Sequence, residues 1–130
     1  MSEPLLTLAG VHTHIGQYHI LQGVDFAVPV GAMTVLLGRN GAGKTTTLRT
    51  IMGLWKPSRG QVTFAGTPIG GWAAHAIARA GIAYVPETMA VFSDLTVAEN
   101  IYLTIWTRAT ERGGAEREAH AYRVFPNLER

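Results

Sequence analysis

Hydrophobic and polar residues alternate through the N-terminal part of the chain, as they do in half-buried strands. Two strands are predicted, over 5–15 and 20–28, joined by a turn at 16–17. A Pro/Gly turn at 29–31 then leads into an apolar run, 32–37, which predicts a buried strand. Three strands before the first helix predict an antiparallel β portion attached to a parallel core.

After this run, the spacing of apolar residues changes from that of a strand to that of a helix. A helix is predicted from Lys44 to about Met52, and Gly53 is the residue expected to end it. Its apolar face is expected to carry Leu48, Ile51 and Met52.

Three short elements are predicted next. They are a strand over 61–65, a helix over 72–80 that Gly81 stops, and a buried parallel strand over 82–85. The segment that follows, to Asp94, is predicted to be a loop.

A capping box marks the next helix. Thr96 and Glu99 stand three residues apart, so that each side chain can bond the backbone N–H of the other. The helix is expected to reach about Trp106 and to bury Val97, Ile101, Leu103 and Ile105. After Gly113 and Gly114 a more polar helix is predicted over 115–125, ended by a proline.

A glycine-rich segment joins the third predicted strand to the first predicted helix. Gly38 is followed, after four residues, by Gly43, Lys44 and Thr45, which is the spacing of a phosphate-binding loop. Glycines let backbone N–H groups approach phosphate oxygens, and the helix start adds unpaired N–H donors. The Lys44 ammonium can reach the β- and γ-phosphates, and the Thr45 hydroxyl can ligate magnesium. The sequence therefore predicts a nucleotide-phosphate site.

Composition and charge narrow the class of protein. The chain is 47% hydrophobic and 15% charged, as in a globular protein, and its net charge is +2 with basic residues scattered. We therefore expect no nucleic-acid partner. The chain has no cysteine, which suits a cytoplasmic protein. No signal peptide and no run approaching ~20 apolar residues is present, so a role at a membrane would need docking on another protein.

Histidines leave a metal site open as an alternative. His12 and His14 share a face of the first predicted strand, with His19 close behind. No further cluster of metal-ligating residues supports that site, so the sequence favours a solvated sheet edge.

The acidic residues bear on hydrolysis. Turnover of a triphosphate normally needs an Asp at the end of a buried apolar strand. Asp25 lies in an alternating strand and Asp94 in a loop, so neither fits. The N-K-x-D and D-x-x-G motifs of GTPases are absent. Glutamates balance the arginines in 112–123, which makes a poor basic lid for a small kinase.

Several segments in order carry a resemblance to one family. They are I-L-Q-G-V-D-F, L-L-G-R-N-G-A-G-K-T-T-T-L-R-T-I-M-G-L, P-S-R-G-Q-V-T-F-A-G, I-A-R-A-G-I-A-Y-V-P-E, V-F-S-D-L-T-V-A-E-N and R-V-F-P-N-L-E-R. The chain resembles the ATP-binding subunit of ABC transporters, most of all the branched-chain amino-acid importers. Urea importers and lipid-exporting relatives share much of the pattern.

The resemblance implies an α/β fold. It would be a P-loop NTPase core with an antiparallel β portion at the N-terminus and the start of an α-helical subdomain, together an incomplete domain. Residues 1–94 would form the N-terminal part of the nucleotide-binding core, and 95–130 the beginning of the helical subdomain.

The resemblance also implies roles for single residues. Glu87 stands where most of the family has a glutamine that contacts magnesium and the attacking water, so Thr45 and Glu87 are the implied Mg²⁺ ligands. The family's adenine-stacking aromatic falls at Ile15 by register, which cannot stack, so Tyr18 is the alternative. The residues implied to wrap the phosphates of ATP are Gly38, Arg39, Asn40, Gly41, Ala42, Gly43, Lys44, Thr45 and Thr46.

Partners follow from the same resemblance. A second ATP-binding subunit would complete the ATP sandwich, and membrane permease subunits would dock near the Glu87 loop and the helices after Thr96. The protein would work at the cytoplasmic face of the membrane. The family's S-G-G signature, Asp-Glu strand end and switch histidine do not occur in these residues. We therefore expect a cut-off subunit with exposed apolar edges and marginal stability.

The sequence leads to one function and two alternatives. The expected function is a transport-coupled ATPase subunit of a branched-chain amino-acid importer, with no turnover from these 130 residues alone. A urea or other ABC transporter ATPase is the first alternative. A truncated, non-catalytic nucleotide-binding or docking module is the second.

Overall fold

A computed structural model describes residues 2–88, 91–106 and 113–129. The chain forms two compact units, Met1–Tyr84 and Val85–Arg130. The boundary expected after residue 94 rests on the family's organisation and stays a prediction.

The first unit is built on an antiparallel sheet. Its strands are β1 (Leu6–Ile15), β2 (Tyr18–Val28), β3 (Arg59–Phe64) and β4 (Thr67–Pro68), arranged in the order β2-β1-β3-β4. The antiparallel β portion is therefore confirmed. The sequence did not predict β4, because two residues are too few to show the alternation of a strand. The strand pairs with β3 across a turn in which Ala65 has φ +48° and Gly66 has φ +80°.

The hydrophobic core lies between this sheet and the helices of the first unit. Val11 and Val62 come from neighbouring strands, and Ile51 and Ile77 come from two helices. Leu8 and Val11 of β1 are three residues apart and both reach this core, because the strand is irregular between them. The buried hydrophobic residues are Leu8, Val11, Leu21, Ile51, Met52, Val62, Ile69 and Ile77.

Helix α1 (Lys44–Ile51) follows the glycine-rich segment as predicted. Gly53, at φ +76°, ends it and donates its N–H to the Thr50 carbonyl. The predicted apolar face is wrong at Leu48, which is 45% exposed. Thr47 and Thr50 are buried instead, because each hydroxyl donates to the carbonyl four residues earlier and so needs no water.

Helix α2 (Ala74–Ala80) is also confirmed, beginning two residues later than predicted. Gly81, at φ +119°, ends it and donates to the Ala78 carbonyl.

Two predicted buried strands are wrong. Residues 32–37 and 82–85 form no strand. Leu37 is 85% exposed and Val85 87% exposed, although Ile82 and Tyr84 still pack against the core of the first unit. A central parallel strand requires hydrogen-bonded neighbours on both edges, and none of the four described strands pairs with these segments. Apolar side chains are exposed in both segments, as expected, but on irregular backbone rather than at the edge of a strand.

The second unit contains α3 (Val97–Trp106), α4 (Gly114–Val124) and a 3₁₀ turn (Pro126–Glu129). The capping box is confirmed: the Thr96 N–H donates to Glu99 Oε2 at 2.7 Å, and the Glu99 N–H donates to Thr96 Oγ1 at 3.2 Å. Val97 was expected to be buried and is 43% exposed, because it lies in the first turn where no described element covers it. Ile101 and Leu103 are half-buried, and the side chain of Ile105 lies outside the described part.

Asn100 holds the loop before α3 in place. Its Oδ1 accepts from the Phe92 N–H at 2.9 Å, and its Nδ2 donates to the Phe92 carbonyl at 3.1 Å. The same Nδ2 also lies within hydrogen-bond distance of the carbonyls of Leu95 and Thr96. One amide thus fixes the loop while the Phe92 side chain remains 64% exposed.

Within the described ranges, no helix combines the length and the apolar character that crossing a membrane would require.

Candidate functional site

The glycine-rich loop is shaped by two glycines in the left-handed region. Gly41 has φ +87° and Gly43 has φ +100°, conformations that side-chain-bearing residues rarely adopt. Gly43 is the residue from which α1 begins, and its carbonyl accepts the first helical bond, from the Thr47 N–H at 2.8 Å. The loop therefore turns sharply and directs the unpaired N–H groups of the helix start towards its own hollow.

Lys44 lies across this loop. Its ammonium Nζ donates to the carbonyl of Gly38 and, at 2.8 Å, to the carbonyl of Arg39. Two backbone carbonyls thereby hold the Lys44 ammonium against the loop. A phosphate group entering the loop would meet that charge beside the dipole of α1.

A cavity of about 300 Å³ opens over the loop. The loop residues that line it lie among those predicted: Asn40, Gly41, Gly43, Lys44, Thr45 and Thr46. Gly38 and Arg39 contribute through their carbonyls to Lys44, and the Ala42 side chain lies close to Gly38, 3.2 Å from where a Cβ on that glycine would be. The structure therefore assembles the predicted loop around one hollow, with Thr45 exposed at the helix start.

One lining residue was missed by sequence reasoning. Ile20, in β2, faces the same cavity from outside the loop. No local motif announces an apolar residue there, because its position depends on the pairing of β1 with β2.

Strand β2 approaches the loop closely at Gly43. A Cβ built on Gly43 would lie 2.9 Å from Leu21 Cδ2 and 3.9 Å from the Ile20 carbonyl oxygen. Two constraints therefore favour glycine at position 43: its positive φ and the close approach of β2. The hairpin forms one wall of the candidate site.

Ile15 and Tyr18, the two candidates for the base, lie opposite each other at the end of this hairpin. Ile15 is half-buried and Tyr18 is 65% exposed. Neither lines the loop cavity itself, so a ligand would have to extend beyond the loop to reach them.

Glu87, the candidate second Mg²⁺ ligand, lies exposed in a turn of the second unit. The loop and Thr45 belong to the first unit. The magnesium role of Glu87 stays a prediction.

The histidines form a stack rather than a metal centre. His14 and His19 stack with ring centroids 4.1 Å apart, and His12 Nδ1 lies 2.9 Å from His19 Nε2. His14 Nδ1 is within 2.9 Å of Ser58 Oγ. In the part of the chain that the structure describes, no group of three or more ligating side chains is placed to hold a metal.

Asp25 also has a structural contact. Its Oδ1 accepts from the Gly10 N–H at 2.7 Å, where β1 departs from regular pairing with β2. This bond ties the two strands together at that irregularity.

Comparison with known proteins identifies relatives of this architecture. The model of the ABC transporter family matches residues 21–130. A ribose import ATP-binding protein of Rubrobacter xylanophilus is 34% identical over 113 residues, which cover 87% of this chain and 22% of that protein. A Nod factor export ATP-binding protein of Ralstonia nicotianae is 38% identical, over 78% of this chain and 31% of that protein. The chain thus spans less than a third of these relatives.

Solved structures show the same likeness. An ATP-binding subunit of an ABC transporter superposes with a TM-score of 0.75 at 32% identity, over 87% of this chain and 46% of that one. An ATP-binding cassette in its ADP conformation gives a TM-score of 0.66 at 27% identity, over 77% and 39%. These likenesses confirm the predicted P-loop NTPase class.

Proposed function

This chain belongs to the ABC transporter family, and on that premise we propose that it binds Mg-ATP as part of the ATP-binding subunit of an importer. The observation that carries the proposal is the loop: six of its residues line one cavity, with the Lys44 ammonium held on its inside. That arrangement suits a ligand with several adjacent negative charges.

Each loop residue has a role in this proposal. Backbone N–H groups of 41–46 would donate to the β- and γ-phosphates, since the positive φ of Gly41 and Gly43 turns the backbone around the hollow. Lys44 would exchange its carbonyl partners for phosphate oxygens. A side chain on Gly43 would collide with Leu21, so the loop depends on that glycine.

The donors also fit a magnesium ion. The Thr45 hydroxyl stands exposed at the helix start and lines the cavity, and hydroxyl oxygen is a suitable ligand for Mg²⁺. When bound, the ion supplies neutralisation of charge on the β- and γ-phosphates. Glu87 is proposed as a further oxygen ligand, on its family position alone.

Coupling to transport is proposed through the second unit. Its loop before α3 presents Val91 at 75% and Phe92 at 64% exposure, with Tyr102 of α3 60% exposed. Exposed apolar side chains on a fixed loop suit a protein partner. We assign this surface, near Glu87 and the helices after Thr96, to the permease. A second ATP-binding subunit would cover the nucleotide that the phosphate loop binds. The protein would then act peripherally at the cytoplasmic face of the membrane.

The transported solute is proposed to be a sugar. Relatives similar to this chain are import proteins named for ribose and, at 32% identity in Escherichia coli, for D-allose. The expected branched-chain amino acids are not supported, because the import proteins among these relatives are named for sugars. A Nod factor export ATP-binding protein is also 38% identical to this chain, so relatives at similar identity are named for different cargoes.

Hydrolysis is proposed to need residues outside these 130. Asp25 bonds the Gly10 N–H in the sheet, and Asp94 lies exposed in a turn, so neither stands at the end of an apolar strand. The family's ATPase activity would therefore belong to the full-length subunit, and the chain alone would bind ATP without turnover.

A calorimetric titration of the chain with Mg-ATP tests the proposal, using the two lysines of the sequence as a matched pair. We expect Lys44→Ala to abolish measurable binding and Lys56→Ala, a change in an exposed lysine outside the loop, to leave it intact. Wild-type affinity in Lys44→Ala would refute the site. A phosphate-release assay on the same samples is expected to give no steady turnover; robust release would refute the claim that hydrolysis needs further residues.

A further inference from the structure

A turn within the phosphate loop is built on an asparagine followed by a glycine. The Ala42 N–H donates to the Arg39 carbonyl at 3.0 Å, which closes a turn with Asn40 and Gly41 at its centre. Gly41 has φ +87°, as the third residue of a type II turn requires. Both central residues are exposed, and Asn40 lines the cavity over the loop. The Asn40 side chain therefore meets both solvent and the space proposed for the phosphates.

An asparagine side chain can react with the backbone nitrogen of the residue that follows it. At this turn, solvent hydroxide would remove the N–H proton of Gly41, and the nitrogen would attack Asn40 Cγ. The new N–Cγ bond forms, the Cγ–Nδ2 bond breaks, and the amide group takes a proton from water and leaves as ammonia. Water then opens the resulting succinimide ring at one of its two carbonyls. The product is an aspartate, or an isoaspartate whose main chain runs through Cβ and Cγ.

The structure leaves both reacting groups accessible at this turn. Within the described ranges, neither the Asn40 amide nor the Gly41 N–H has a hydrogen-bond partner, because the turn bond uses the N–H of Ala42 instead. Glycine has no Cβ to hinder the attack. The position that a Cβ on Gly41 would occupy has no heavy atom within 4 Å beyond its chain neighbours. Since the reacting atoms belong to adjacent residues, the ring closes within the chain.

The other two asparagines of the sequence are held by hydrogen bonds. The side-chain amide of Asn100 bonds the backbone of the loop before α3, and the residue after it continues that helix. Asn127 is followed by Leu128, whose N–H donates to the Phe125 carbonyl at 3.0 Å. The nitrogen that would have to attack is thus already bonded there. Asn40 is the asparagine that combines an unbonded amide with an unhindered neighbour.

We propose that Asn40 is a self-modification site, whose conversion to aspartate or isoaspartate closes the phosphate loop to nucleotides and is slowed by bound nucleotide. The inference rests on the proposed ATP site. Conversion places a carboxylate in the cavity where the phosphates would bind, and like charges repel. Isoaspartate also lengthens the main chain of a tight turn. Bound phosphates would accept from the Gly41 N–H, so an occupied loop no longer offers the attacking nitrogen.

The test incubates the chain in mildly alkaline buffer, with and without Mg-ATP, and follows each asparagine by peptide mass spectrometry after digestion in acid, where the reaction is slow. We expect the Asn40 peptide to show the mass change from amide to acid, while the peptides of Asn100 and Asn127 stay unchanged as internal controls. Mg-ATP at about ten times its Kd should slow the change about tenfold, because only the empty fraction reacts.

Calorimetric titration with Mg-ATP measures the consequence for binding. Incubated wild type should lose binding in proportion to the fraction converted. Fresh Asn40→Asp, which carries the charge of the product, should bind at least about tenfold more weakly than fresh wild type. Asn40→Gln would have to close a larger ring, so after the same incubation it should keep the Kd that it has when fresh. Circular dichroism checks that each sample is folded.

An unchanged Asn40 peptide after prolonged incubation would overturn the inference, and so would converted protein that binds Mg-ATP like fresh wild type. Equal rates of conversion with and without Mg-ATP, in a chain that binds it, would overturn the protection by nucleotide. Failure of the ATP site looks different. In that case Lys44→Ala would bind Mg-ATP like the wild type, while mass spectrometry would still detect the conversion of Asn40.

Discussion

Two apolar regions of the first unit differ in structure: one is a strand with buried residues, and the other is exposed and forms no strand. β1 lies between β2 and β3, and its Leu8 and Val11 are at most 2% exposed. Residues 32–37 are equally apolar, yet Val35 is 67% and Leu37 85% exposed and no strand forms. The two regions differ because β1 has hydrogen-bonded strands on both of its edges, whereas none of the described strands pairs with residues 32–37. Apolar side chains make a segment suitable for a sheet core, but the partner strands decide whether it becomes one.

The sharpest test of the paired region is Gly60→Ala. Gly60, in β3, has φ +82°, and a Cβ there would overlap the backbone of Ala9 and Gly10 in β1. We expect a loss of about 3 to 5 kcal/mol in unfolding free energy, from left-handed strain plus overpacking. Urea denaturation followed by tryptophan fluorescence measures it.

Gly66→Ala is the control for that change. Gly66 has nearly the same φ, +80°, but open space around its Cβ position, so about 1 to 2 kcal/mol of strain alone is expected. Equal losses in the two variants would show that β1 and β3 are not in close contact.

A second prediction compares equivalent truncations in the two regions. Leu8→Ala removes a side chain that is 2% exposed and should cost about 3 kcal/mol. Leu37→Ala removes one that is 85% exposed and should cost less than about 0.5 kcal/mol. The same urea titration measures both. A large loss in Leu37→Ala would mean that residues 32–37 are packed in solution, and the contrast between the regions would fail.

The smallest expected effect concerns the bond between the hairpin and α1. Thr13→Val removes a fully buried hydroxyl 3.0 Å from that of Thr50, which keeps its bond to the Thr46 carbonyl. The expected loss is about 1 kcal/mol. Thr67→Val, at an exposed position in β4, should change the unfolding free energy little. If its loss equalled that of Thr13→Val, the Thr13–Thr50 hydrogen bond would not be the cause of the Thr13→Val loss.

Sequence reasoning succeeded where structure is determined by neighbours along the chain. The Thr96–Glu99 capping box, the stops at Gly53 and Gly81, and the loop around Lys44 each depend on a few consecutive residues. The capping box, the two stops and the start of α1 at Lys44 form as predicted.

It failed where structure depends on distant partners. Residues 32–37 and 82–85 have the composition of buried strands, but composition does not reveal whether neighbours pair with them. Leu48 was wrongly predicted to be buried. The buried face of α1 carries Thr47 and Thr50, whose hydroxyls donate to backbone carbonyls, and a sequence pattern does not identify threonines as buried residues. The bulge that brings Ile20 to the cavity follows from the register of β1 against β2, which no local motif encodes.

The close approach of Leu21 to Gly43 has a consequence for how this sequence can vary. A methyl group at 43 would meet the end of the Leu21 side chain, so the tolerance of one position is conditional on the residue at the other. In a deep mutational scan, the two should behave as an epistatic pair: shortening Leu21 alone opens space, and only in that background does Ala at 43 become partly tolerated. A substitution table that scores each site independently would miss the dependence.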